Sequence, residues 1–161
     1  AITAIDEGLN YAKTTVREME VLGVEPDGHM LELARLLNQG AKALQAGFMK
    51  VKTDPSAAER EAAAVRKTER HAEKVYRRAI AELFDPENYA QDLTMRRKEP
   101  GRDLAPLLEP MEQQECTAVG RGLSFVMEAL KRREVYRHLS NASDHIAHAG
   151  DILHDIVVKT A

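Results

Sequence analysis

Apolar residues recur every three or four positions along most of this chain, and that period is the strongest constraint on its fold. One stripe runs through Ile2, Ile5, Leu9, Ala12, Val16 and Met19, a second through Met30, Leu33, Leu37, Ala41, Leu44 and Phe48, and a third through Val65, Ala72, Val75, Ala79 and Leu83. A fourth resumes near residue 117 and continues through Val135, Leu139, Ala142, Ile146, Leu153 and Ile156. A 3.6-residue repeat places each set on one face of a helix, and no alternation long enough for a strand interrupts it. With 23 Ala and 16 Leu in 161 residues, the composition agrees, because unbranched side chains lose little rotamer freedom in a helix.

The punctuation is also helical. Gly-Val-Glu-Pro-Asp-Gly at 23–28 closes the first segment, and Asp54-Pro55 reads as an N-cap followed by proline in the first turn. Amphipathic helices of this length joined by short loops predict an all-α, up-and-down antiparallel helical bundle. The expected organisation is one domain, 1–161, with an irregular insertion at about 85–125. There Pro100, Pro106, Pro110 and the run Met95-Arg96-Arg97-Lys98-Glu99 break the period, leaving room for one short helix near 103–109.

Charge narrows the function classes. Twenty-three Lys and Arg against 26 Asp and Glu give a net charge of −3, without the basic excess of a nucleic-acid binder. One cysteine, Cys116, excludes an intrachain disulfide framework and reads as an unreactive thiol in a reducing compartment. No apolar run reaches the length of a membrane span and no signal-peptide pattern opens the chain. Phosphate-cradling glycine motifs and the Glu-x2-His pair of di-iron bundles are missing as well.

The richest stretch for chemistry is 140–155, Ser-Asn-Ala-Ser-Asp-His-Ile-Ala-His-Ala-Gly-Asp-Ile-Leu-His-Asp. At 100° per residue Asp144, His148, Asp151 and Asp155 share one face, opposite the apolar stripe. Such a row is either a solvated polar surface or a set of metal ligands, since spacings of four and seven let carboxylates and an imidazole converge on one cation. The row holds no lysine, and stacked aspartates repel unless a cation lies between them. His145 and His154 point elsewhere. Glu69 and Glu73 form a second carboxylate pair four residues apart, with Arg66 and Arg70 as competing partners. Asp6 and Asn10 form a third oxygen pair.

These motifs resemble the PhoU-like regulators of phosphate transport, in the branch of the Pit accessory proteins. The segment 133–159, Arg-Glu-Val-Tyr through Ile-Val-Val-Lys, is similar to that family's C-terminal signature. The segment 68–84 is similar to its Glu-x3-Asp helix, which also ends in Leu-Phe, and Ile5-Asp6-Glu7-Gly8-Leu9-Asn10-Tyr11 is similar to an earlier acidic helix. The resemblance covers about residues 1–84 and 126–161. Here the family's acidic pairs read Asp6-x3-Asn10, Glu69-x3-Glu73 and Ser140-x3-Asp144, so two of three keep a single carboxylate.

The resemblance implies a PhoU-like bundle that binds a divalent or trivalent metal ion (iron, zinc or nickel) through Asp144, Glu69, Glu73 and Asp6, and the polar row of the last helix adds His148 and Asp151 as expected ligands. It implies a non-enzymatic regulator acting on a Pit-type membrane phosphate transporter or its regulatory proteins. The expected location is cytoplasmic, at the inner face of the membrane. The rival expectation is a helical-bundle metal-dependent phosphohydrolase, and a third is an oligomeric scaffold without metal. The family's first two helices would precede Ala1. An apolar-rich chain without them is expected to expose part of its bundle face and to form a symmetric homo-oligomer.

Overall fold

The computed structural model describes residues 2–85, 87–88 and 113–160, and all its regular structure is α-helix. Four helices run in order: α1 (Ile2–Leu22), α2 (Gly28–Lys50), α3 (Pro55–Leu83) and α4 (Gln113–Thr160). The helical period re-establishes itself at Gln113, within the stretch expected to be irregular, and passes through Gly120 and Gly122 without a break. The short helix expected near 103–109 lies outside the described residues.

The chain divides into two compact units. Ala1–Ala79 with Val135–Ala161 form the first, and Ile80–Glu134 the second. The second holds the end of α3 and the first part of α4, where Ala129 and Arg132 are buried and Arg132 lies 3.7 Å from Glu128, one turn earlier. The first holds the candidate site.

In the first unit the bundle is built from local stop and start signals. Gly23 adopts φ +62°, a left-handed conformation that glycine reaches without steric cost. Its N–H bonds the Glu20 carbonyl at 3.3 Å, while Val24 N–H returns to the Met19 carbonyl at 2.9 Å. This is the paired closure of a Schellman motif, with Val24 buried beside it. Asp27 caps α2 by accepting from Met30 N–H, and Asp54 caps α3 by accepting from Ala57 N–H, each at 2.9 Å.

The contacts give the topology. Gly40 and Gly47 of α2 approach Thr68 and Ala58 of α3, so these two helices are antiparallel. Gly8 of α1 meets Ile146 of α4, and Glu18 meets His138, again antiparallel. Val65 of α3 sits against Gly150 of α4, and Glu59 against His154, completing an up-down-up-down order. The core joins Leu44, Ala58, Ala62, Val65, Ile146, Ala149, Leu153 and Val157. Three of the four predicted stripes supply these residues, while α1 adds Ala4 and, packed against the cluster, the partly buried Ile5. Small residues dominate α3, which lets the helix axes approach closely.

The first stripe does not behave as the period predicts. Ile2, Leu9 and Val16 are 78%, 62% and 58% exposed. The face of α1 turned to the bundle is instead Ala4, Gly8 and Thr15, with Tyr11 beside them. A Cβ at Gly8 would stand 3.2 Å from Ile146 Cδ1, so this crossing accepts only the smallest side chains. Close approach of the backbones selects that face over the larger apolar one.

Candidate metal and anion groove between α3 and α4

Antiparallel packing of α3 on α4 brings together residues 74 or more positions apart in sequence. The result is an open groove of about 770 Å³ lined by Ala63, Arg66, Glu69, Arg70, Asp144, Ala147, His148 and Asp151. Asp144, His148 and Asp151 come from the polar row of α4, and Glu69 faces them from α3. Asp155 of the same row and Asp6 of α1 are not part of this lining. Glu73 stands one turn beyond Glu69 and pairs with Arg77 along its own helix.

Electrostatics mark Glu69 and Asp144 as one unit. The Glu69 carboxyl is raised above its ordinary value by burial, then by the charges of Asp144 and Glu73, with Asp151 adding to the effect and Arg70 opposing it. The Asp144 carboxyl is raised by burial, against the influence of His145, and further by Glu73. Repulsion between the two carboxylates belongs to the pair and opposes the ionisation of both together. Like charges held together in this way favour a proton or a cation between them.

The arginines divide their work differently from the sequence expectation. Arg66 reaches Asp151 at 3.7 Å and Glu59 at 3.9 Å, and the Arg70 Nε donates to the Arg66 carbonyl at 3.3 Å. Glu69 therefore makes no ion pair with Arg66, and Arg70 acts on it through the field alone. Both guanidinium groups remain on the groove wall, where they give it a mixed character.

The other histidines of α4 hold the bundle together. His154 Nδ1 lies 2.6 Å from Glu59 Oε2, and His145 Nδ1 lies 3.0 Å from Glu7 Oε2 while its ring stacks on Tyr11 at 5.2 Å. His138 Nε2 lies 3.1 Å from Glu18 Oε2, and its ring also touches Tyr11 at 5.7 Å. These pairings were not legible in the sequence, because each joins helices far apart in the chain.

Carboxylate oxygens and an imidazole suit a borderline or hard cation. In the present side-chain arrangement no three His, Cys, Asp or Glu side chains among the described residues are gathered to hold one ion. Ligation here requires rotation of the half-buried Glu69 and the exposed Asp144 towards each other across the open groove.

No family model, curated protein or solved structure matches this chain.

Proposed function

We propose that this chain is a non-enzymatic helical-bundle regulator of inorganic phosphate transport whose α3–α4 groove binds a divalent or trivalent metal ion. The observation that carries the reading is the meeting of Glu69 and Asp144, with Glu73 near both, on the two helices whose motifs resemble those of the PhoU-like regulators. Glu69 and Asp144 are the principal ligands in this reading, with His148 and Asp151 completing the donor set from the next turns of α4. Among the described residues no helix is long and apolar enough to cross a membrane, and the proposed partner is a Pit-type transporter approached at the inner face of the membrane. Calorimetric titration of the chelator-treated protein with Mn²⁺, Zn²⁺, Ni²⁺ and Fe²⁺ tests the site. At least one cation should bind, and Asp144→Ala should weaken it by about tenfold or more, the scale set by losing one good interaction. Equal affinity in wild type and variant removes the metal from the proposal. Phosphate uptake that is unchanged when the protein is deleted from its own cell removes the regulator.

A metal-dependent phosphohydrolase is the rival, and the feature that favours it is the pair Arg66 and Arg70 on the same groove wall as the carboxylates. Guanidinium groups recognise phosphate oxygens, and a bound cation would supply an activated water. Turnover of p-nitrophenyl phosphate by the metal-loaded protein, lost in Asp144→Ala, would select this reading; no turnover with any of the four cations retires it.

A further inference from the structure

The bundle takes up Ala4, Gly8 and Thr15 of helix α1, with Ile5 partly buried against the same core. Beside that face run Ile2, Ile5, Leu9, Ala12, Val16 and Met19, separated by alternating steps of three and four residues. This is a heptad seam with Ile2, Leu9 and Val16 at a positions and Ile5, Ala12 and Met19 at d positions. The a residues are more than half exposed and the d residues are half-buried. A regular 3.5-residue apolar repeat on an exposed face is the pattern of a helix that packs lengthwise on another helix, and apolar patches of this kind mark interfaces.

The flanking residues say which helix. On one side of the seam lie Gly8 and Thr15, already buried against α4. On the other lie Asp6, Lys13 and Glu20, all exposed. In a parallel pair, Lys13 and Glu20 would need charged partners at the Gly8 and Thr15 positions, which offer none. In an antiparallel pair the two exposed flanks face each other.

We propose that α1 pairs antiparallel with α1 of a second copy of this chain, about a twofold axis between Asn10 and Tyr11. In that register Ile2 packs opposite Met19 of the partner subunit, Ile5 opposite Val16 of the partner subunit, and Leu9 opposite Ala12 of the partner subunit. All six seam residues are then matched, with a large side chain against a small one at the centre. The same register places Asp6 beside Lys13 of the partner subunit, and symmetry repeats the ion pair at the other side of the axis. One register thus satisfies both the apolar layers and the charges, as an isologous interface requires.

Sedimentation of the full chain tests this, with dimer expected at micromolar concentration. Leu9→Asp should raise the dissociation constant by about a hundredfold or more, since it places a charge at the centre of an apolar seam. Its helicity and Tm should stay those of the monomer, because Leu9 is exposed there. Asp6→Lys and Lys13→Asp should each weaken the dimer by about five- to thirtyfold, from two lost attractions and two new repulsions. The double variant Asp6→Lys/Lys13→Asp should return to within about threefold of wild type. A chain that remains monomeric at about 100 µM, a dimer indifferent to Leu9→Asp, or a double variant that fails to recover overturns the proposal.

Discussion

Tyr136 of α4 donates its hydroxyl proton to Asp27 Oδ2 at 2.6 Å, while the other carboxylate oxygen of Asp27 caps α2 through Met30 N–H at 2.9 Å. One side chain therefore both starts a helix and ties it to another 109 residues away in sequence. Tyr136 is buried and His29 meets its ring edge-on at 6.3 Å, so the ring position is held from more than one side.

The double use of Asp27 predicts a graded loss of stability. Tyr136→Phe removes one hydrogen bond to a charged acceptor and should cost about 1.5–3 kcal/mol. Asp27→Ala also removes the cap and should cost about 1 kcal/mol more, with the excess absent in a Tyr136→Phe background only if the cap were unimportant. Urea unfolding of the two single variants and the double variant measures both contributions.

Two glycines of α4 should respond to alanine with opposite signs. A Cβ at Gly150 would sit 2.9 Å from Val65 Cγ1 and 3.1 Å from Val65 Cβ. Val65 is fully buried and β-branched, so it has no free rotamer to move into. Gly150→Ala should destabilise by about 1–2 kcal/mol after the gain in helix propensity is counted. Gly122 has nothing within 4 Å of such a Cβ, and Gly122→Ala should stabilise by about 0.5–1 kcal/mol. Thermal melts of the pair, each against wild type, check the contrast.

The Glu69–Asp144 repulsion makes a pH-dependent prediction for metal-free protein. Both carboxyls are raised on folding, so the folded state holds protons more tightly than the unfolded chain. The cost is absent where both states are protonated and complete above the folded-state values, so stability falls as pH rises from the ordinary 4.5 of Glu69 through its raised value. Glu69→Gln should therefore raise Tm at neutral pH in the presence of a chelator, and make no difference near about pH 3. A variant that melts below wild type at pH 7 would mean that the Glu69 charge is welcome in the fold.

Metal binding predicts the converse. A cation that binds only the folded state should stabilise it by about 2.7 kcal/mol at a hundredfold excess over its dissociation constant. The gain should disappear in Asp144→Ala and persist in His154→Ala, because His154 faces Glu59 instead of the groove. Melting curves with and without the cation that binds in calorimetry distinguish the two variants.

Much of this architecture is local in origin, and the sequence determined it alone. The helical period of the second, third and fourth stripes placed Leu33, Val65, Val135 and Leu153 in the interior, where all four are fully buried. Asp54 and Gly23 marked helix ends by chemistry that acts over five residues or fewer. The polar row of Asp144, His148 and Asp151 was legible too, since a shared helix face follows from 100° per residue. Two things were decided only by tertiary packing. The first is which face of α1 turns inward: hydrophobicity favours the Ile2–Leu9–Val16 stripe, but the α1–α4 crossing at Ile146 admits only the small side chains of Ala4 and Gly8. The second is the convergence of Glu69, Arg66 and Arg70 with the α4 row. That depends on the register of α3 against α4, which is set where Val65 seats against Gly150, a contact between residues 85 positions apart that no local period encodes.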